Sequence, residues 1–147
     1  MNYIIREMAI DDYDEVISLW QSSPEINIDD SDSRENLVVY IKRNPGLCHV
    51  AVCDHAIIGT IKCGHDGRRG YLHHLVIHKN FRHLGIGDAL IKKSLASLRS
   101  QGIQKCNTFV LDKNKDALEF WLHNNWEVLD YYYRTLQINT NVSLDKT

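Results

Sequence analysis

The chain reads as an α/β protein, with one mixed sheet carrying helices on both faces. Three observations predict this. Short apolar runs bounded by turn residues recur along the chain, as strands do. Segments with apolar side chains three and four residues apart are interleaved with them, as amphipathic helices are. No internal repeat, linker or low-complexity stretch interrupts the pattern, and 147 residues suit one domain, 1–147.

The elements follow in order. Tyr3 to Arg6 is a first strand. Asp11 to Gln21 is a helix, because Tyr13, Val16, Ile17 and Trp20 fall on one face and Asp11 and Asp12 favour its positive end. Residues 22–31 are loop-like, and a second helix, Asp32 to Arg43, stops at Asn44-Pro45-Gly46. His49 to Cys53 and Ile57 to Gly64 are strands around a turn at Asp54-His55. Tyr71 to His78 follows the turn Asp66 to Gly70. A helix from Asp88 to Ser100 ends at Gly102, which can take the left-handed capping conformation. Cys106 to Leu111 is a short strand, and Asp116 to Asn124 a short helix presenting Ala117, Phe120 and Trp121. Trp126 to Leu129 and Tyr133 to Ile138 are the last strands. The order is β-α-α-β-β-β-α-β-α-β-β.

Composition narrows the function classes. Apolar residues make up 44% and charged residues 24%, which is ordinary for a folded chain. A chain of this size buries roughly two thirds of its unfolded surface. No apolar run is long enough to span a membrane. The start, Met-Asn-Tyr-Ile-Ile-Arg-Glu, lacks the pattern of a signal peptide, so a cytoplasmic location is expected. Cys48, Cys53, Cys63 and Cys106 form no C-x-x-C pair and read as reduced thiols. Ten acids and four bases lie in residues 1–45, against nine and thirteen in 46–147. That asymmetry suits either a solvated acidic helix face or a chain whose two parts meet opposite charges. The basic excess is too small and scattered for nucleic acid.

Arg82-His83-Leu84-Gly85-Ile86-Gly87 is the most informative segment. It joins an apolar strand to a helix. Main-chain N–H groups at a helix start lack intrahelical partners and sit at the positive end of the macrodipole. Gly85 and Gly87 have no Cβ to hold an anion off the backbone, and Arg82 adds a charged donor fork. The segment is therefore a phosphate-binding device. A Rossmann fingerprint is excluded, because Asp88-Ala89-Leu90 supplies no third glycine. No Walker sequence and no G-x-S-x-G elbow occurs. The eight histidines show no H-x-x-H or H-E-x-x-H spacing, so no metal site is expected.

Arg82-x-x-Gly85-x-Gly87, the strand before it and the downstream run Asn114 to Trp126 together resemble the GNAT superfamily of N-acetyltransferases. The first matches that family's (Gln/Arg)-x-x-Gly-x-(Gly/Ala) motif, and the second its Asn-x-x-Ala-x-x-(Phe/Leu)-Tyr-x-x-x-Gly-Phe signature. The resemblance covers nearly the whole chain and implies a mixed, mostly antiparallel central sheet. It also implies acetyl-CoA as donor, with no metal, and an amine that attacks the thioester directly in a ternary complex. Arg82, His83, Leu84, Gly85, Ile86 and Gly87 would wrap the pyrophosphate. The main chain of Leu75, Val76 and Ile77 would bind the pantetheine arm as an added strand and present an N–H to the thioester oxygen. Asn114 matches the family asparagine that binds the cofactor arm, and it is also a favoured helix N-cap.

Two departures stand out. Trp121 replaces the family tyrosine that protonates the departing thiolate, and an indole N–H is no acid. Packing is the role expected of it, with Tyr131, Tyr132 and Tyr133 as possible substitutes. Asn125 replaces a glycine, but asparagine tolerates the left-handed turn. The amine must be neutral to attack, so a base is needed. His73 is the candidate, with a suitable unperturbed pKa; a packed core histidine and His74 are the other readings. Strict alternation would put Tyr71, His73, Leu75 and Ile77 on one face and Leu72, His74, Val76 and His78 on the other. His78 and His83 would line the phosphates or face solvent. Asp29, Asp30, Asp32 and Glu35 lie where this family walls its acceptor, favouring a cationic amine: a protein N-terminus, lysine, polyamine or aminoglycoside. The pattern is somewhat similar to bacterial relatives of ribosomal-protein alanine acetyltransferases. Family members often dimerise through C-terminal strands. The alternative class is a non-catalytic acyl-CoA-binding or regulatory module.

Overall fold

Alternating apolar runs pair into a five-stranded sheet in the computed structural model, which describes residues 2–24 and 26–138. The strands are β1 (Ile4–Glu7), β2 (His49–Cys53), β3 (Ala56–His65), β4 (Gly70–Ile77) and β5 (Cys106–Thr108), adjacent in that order. The first three pairings are antiparallel and the last, β4 with β5, is parallel. The α/β class and the mixed, mostly antiparallel sheet are as the sequence predicts. The β2–β3 turn uses Asp54 and His55 at φ 49° and 66°, the left-handed pair that a two-residue hairpin needs.

The chain forms two compact units, the first ending at Leu111. In the first, helices α1 (Tyr13–Gln21) and α2 (Arg34–Arg43) cover one face of the sheet. Val16, Leu19, Trp20 and Leu37 pack there with Met8, Val50 and Val76. Helix α3 (Ile86–Ser100) covers the other face. A Cβ on Gly59 would meet Ile86 and Leu90, and one on Gly70 would meet Leu98, so the glycines admit the helix. Gly102 at φ 83° closes α3, with Ile103 N–H donating to Leu98 O and Gly102 N–H to Arg99 O. That pair of bonds is a Schellman cap.

The second unit holds α4 (Lys115–His123). Asn125, at φ 67°, takes the left-handed turn, and Trp126 N–H and Asn125 N–H donate to Trp121 O and Leu122 O. Asparagine thus substitutes for glycine in a second Schellman cap.

Several boundaries differ from expectation. Residues 126–138 form no strand. Tyr131, Tyr132 and Leu136 are 83%, 89% and 67% exposed, and no strand among the described residues pairs with this segment to supply the ladder that alternation alone cannot make. β5 ends at Thr108 rather than Leu111, and the Thr108 hydroxyl donates to Leu72 O where the ladder stops. The second helix starts at Arg34, because Asp32 lies in a 3₁₀ turn and the Ser33 hydroxyl caps Asn36 N–H. The first is split likewise into a 3₁₀ turn, Ile10–Asp12, and α1; Asp12 accepts from Ala9 N–H and grips Arg6 through both oxygens. No helix among the described residues is long and apolar enough to cross a membrane.

Candidate active site

β4 lies against β3 along its length but against β5 over Gly70, Tyr71 and Leu72 only. Beyond Leu72 its outer edge has no strand partner among the described residues. His78 N–H donates to Ile58 O, so the main chain of His78 faces β3. Alternation then turns the polar groups of Ile77 to the open edge, where Arg82 Nε donates to Ile77 O at 3.1 Å. Leu75, Val76 and Ile77 therefore lie on an edge able to accept an extended amide chain.

This edge runs directly into the glycine segment. His83 and Gly85 are left-handed, at φ 63° and 82°, and α3 begins at Ile86, inside the motif and two residues before Asp88. The unpartnered N–H groups of the first helical turn thus belong to the motif itself. Arg82, His83, Leu84 and Gly85 are exposed, while Ile86 is buried and anchors the helix. Arg82 is not a free tether for phosphate, since its Nε is committed to Ile77 O and only its terminal nitrogens remain. It lines a cavity of about 800 Å³ with His78, Lys79, Asp14, Glu15 and Ser18. The His78 Nδ1 accepts from Asn80 N–H.

The two faces of β4 are not those of a regular strand. Gly59 and Thr60 pair with Ile77 and Val76, but Lys62 and Cys63 pair with His73 and Leu72, so β4 carries one extra residue. The bulge falls at His74, which sits at φ 49°. An inserted residue reverses the alternation beyond it. Ile77 therefore joins the α3 face, near Gly59, while Val76 packs in the α1–α2 core. The expectation that His73 shares a face with Ile77 is overturned. His73 and His74 instead share the α1–α2 face: Lys62, opposite His73, reaches Asp32, and so does His74.

Polar contacts hold the bulge. Trp20 Nε1 donates to Thr60 Oγ1 at 2.8 Å, and Thr60 Oγ1 donates to His74 O at 3.1 Å. The Trp20 and His74 rings meet edge to face at 4.6 Å. His74 Nε2 and Lys62 Nζ both reach Asp32 Oδ1, at 3.0 and 3.1 Å. Lys62 also lies 4.5 Å over the Tyr40 ring. Side-chain exposure is 1% for Asp32, 7% for Lys62 and 16% for His74. Burial opposes ionisation of Asp32, but the hydrogen bond and charge of His74, with Lys62 beside it, outweigh that and bring its pKa down to about 2. Asp32 is thus not part of an open acidic wall; Asp29, Asp30 and Glu35 are exposed.

Burial, with the nearby charges of Lys62 and His74, pushes His73 down to about 4. It is a neutral imidazole at pH 7, in a layer of near-parallel rings with Tyr71 at 6.2 Å and Phe109 at 6.3 Å.

In the second unit, Asn114 Oδ1 accepts from Ala117 N–H, the N-cap role. Trp121 is buried and packs edge to face on Phe120 and Trp126, at 5.3 and 4.7 Å. Sequence reasoning missed the Lys62–Asp32–His74 cluster. Its signal was Lys62 itself: a lone charge inside the apolar run Ile57 to Gly64 needs a buried counter-ion.

The profile of the Acetyltransferase (GNAT) family matches residues 8–125. An acetyltransferase of Sodalis glossinidius (strain morsitans) is 29% identical over 134 residues, covering 86% of this chain and 88% of that one. The fold is similar to that of the PaiA N-acetyltransferase of Thermoplasma acidophilum, solved with coenzyme A, at a TM-score of 0.79 and 23% identity over 90% of this chain and 94% of the other. It is also similar to an aminoglycoside acetyltransferase from an uncultured soil metagenomic sample, solved with sisomicin, at a TM-score of 0.72 and 19% identity over 92% and 97%.

Proposed function

The chain belongs to the acetyltransferase (GNAT) family, and from that premise we propose that it transfers an acetyl group from acetyl-CoA to a primary amine in a ternary complex. The observation that carries this reading is the parting of β4 from β5 after Leu72, on a strand that leads into the Gly85 helix start. One strand–loop–helix unit then offers an edge for the pantetheine amides and N–H groups for the pyrophosphate. Leu75, Val76 and Ile77 bind the arm. Arg82 to Gly87 bind the phosphates, with the terminal nitrogens of Arg82 as the charged donors. Asn114 is assigned to the cofactor through the family signature alone, beside its N-cap role.

An edge N–H near Leu75 faces the thioester oxygen and stabilises the charge that develops there. The amine adds to the carbonyl carbon, loses a proton, and the C–S bond breaks. His73 is one of two imidazoles on the α1–α2 face able to take that proton; His74 is the other. Exposed Asp29, Asp30 and Glu35 favour a cationic acceptor, either a protein or peptide amine or a small polyamine or aminoglycoside. One domain over 1–147, acting in the cytoplasm without nucleic acid, completes the reading. Four free cysteines, of which Cys48, Cys53 and Cys63 are buried, suit a reducing compartment. A homodimer is part of the proposal, supported by exposed Val128, Leu129 and Leu136 and checked by light scattering.

The test is thiol release from acetyl-CoA with a panel containing a peptide N-terminus, lysine, spermidine and an aminoglycoside. Turnover with at least one amine is expected. CoA binding without turnover on any would instead favour the non-catalytic module, which Trp121 in place of a tyrosine supports.

A further inference from the structure

We infer that His74, not His73, accepts the proton of the attacking amine, and that Asp32 is its positioning residue. The inference rests on the acetyltransferase reading. Its first support is a tautomer. Asp32 is ionised and so can only accept, hence the His74 Nε2 atom at 3.0 Å must carry hydrogen. In the neutral ring the lone pair is then on Nδ1, and no hydrogen bond to Nδ1 occurs among the described residues. His73 has no carboxylate at hydrogen-bond distance among the described residues, and its neighbours hold its basicity down.

The second support is placement. His74 is the bulge residue, so its imidazole and the edge left without a strand partner among the described residues grow from the same stretch of backbone. Its carbonyl is fixed by Thr60 and Trp20, and its ring by Trp20 and Asp32. A general base held this firmly loses little geometry to motion. Asp32 sits between α1 and α2, in the loop that precedes Arg34, so the same carboxylate ties that loop to the bulge.

The cationic acceptor first releases its ammonium proton to solvent; its nitrogen lone pair then forms the C–N bond, and the carbonyl π pair moves to oxygen. His74 Nδ1 takes one proton from the ammonium so formed. The oxygen pair returns, the C–S bond breaks, and coenzyme A leaves as a thiolate that takes a proton from water. The imidazolium returns its proton to solvent. Asp32, from the 3₁₀ turn, is bonded to the His74 ring, and the titratable groups gathered around that carboxylate are Lys62 from β3 on the same oxygen, Tyr40 from α2 under Lys62, and Tyr13 from α1, whose hydroxyl donates to Asp32 O; His73 is the chain neighbour.

His74→Asn is the test, since asparagine tolerates a positive φ but cannot hold a proton. Expected are a fall in kcat of about 100-fold or more, loss of the acid limb of kcat between pH 5 and 9, and CoA affinity within about 3-fold of wild type as the check on fold. His73→Gln should keep the limb. A His74→Asn protein that retains the limb and most of its kcat overturns the inference. So does loss of the limb in His73→Gln alone. Nitrogen-15 NMR of wild-type His74 reads the tautomer without a variant or an acceptor: protonated Nε2 with bare, titrating Nδ1 supports the assignment, and the opposite tautomer refutes it. A wild-type protein with no turnover on any amine, but with the expected tautomer, refutes the acetyltransferase reading instead.

Discussion

Replacing Asp32 by asparagine removes the carboxylate and keeps the shape. At pH 7 it strands Lys62, whose side chain is 7% exposed, with no counter-ion at its ammonium. Breaking a buried pair from one side costs about 3–5 kcal/mol. For a chain of this length that is a fall in Tm on the order of 10 °C. The pH dependence gives a sharper check. The Asp32 pKa moves from 3.8 to about 2 on folding. A lowered carboxyl adds stability above its unfolded pKa and loses it as pH falls through the folded one. Wild type should thus lose about 1 kcal/mol between pH 5 and pH 3 from this group, and about 2.5 kcal/mol once both states are protonated, at about 1.4 kcal/mol per unit. Urea unfolding of both proteins at pH 7, 5 and 3 reads this, because titrations common to both cancel in the difference. The gap should be near 4 kcal/mol at pH 7 (about 3–5) and should narrow by about 1 kcal/mol from pH 5 to pH 3. The double variant Asp32→Asn/Lys62→Met should recover more than half of the loss, since it removes the stranded cation. A cost below about 1 kcal/mol at pH 7, or a gap that does not narrow, would refute the buried cluster.

Two further predictions follow from the site. The His73 pKa moves down from 6.5 to about 4 on folding, so stability is complete above pH 6.5 and lost as pH falls through 4. By pH 4.5 this amounts to about 2.5 kcal/mol, and a His73→Gln protein, compared by denaturant unfolding at pH 7 and 4.5, should lack that component. Gly85→Ala meets no atom within 4 Å but forces a Cβ into φ 82°. It should cost about 1–2 kcal/mol and weaken CoA binding roughly tenfold by calorimetry, as the motif's N–H groups lose their aim. Unchanged affinity would place the phosphates elsewhere.

The fold was legible where periodicity and punctuation agreed. β2 was bounded correctly because His49 to Cys53 is apolar and followed by a turn. Leu90, Ile91 and Leu98 share a face and Gly102 ends α3, so periodicity marks the helix, but its start lies two residues before Asp88. The glycines looked like a loop before a helix, whereas Gly87 is already within it. Tyr133 to Ile138 failed in the opposite way, because alternation states which face would be buried and not whether a partner strand exists.

The candidate site exposes a deeper limit. A strand's two faces are read by counting, and one inserted residue defeats the count. Nothing in Leu72-His73-His74-Leu75-Val76-Ile77 marks the insertion; no glycine occupies the left-handed position, which falls on His74. What specifies the bulge is distant in sequence: the Trp20 indole and Thr60 hydroxyl that fix the His74 carbonyl, and the Asp32 carboxylate that fixes its ring. A left-handed non-glycine residue is costly and persists only where its surroundings hold it. Those surroundings are the same groups that bring two adjacent imidazoles onto one face, which a regular strand forbids. The residue type was visible at both positions, but the chemistry open to each depends on groups far along the chain: Thr60, Asp32 and Trp20. The lone Lys62 was the local sign that such contacts had to exist.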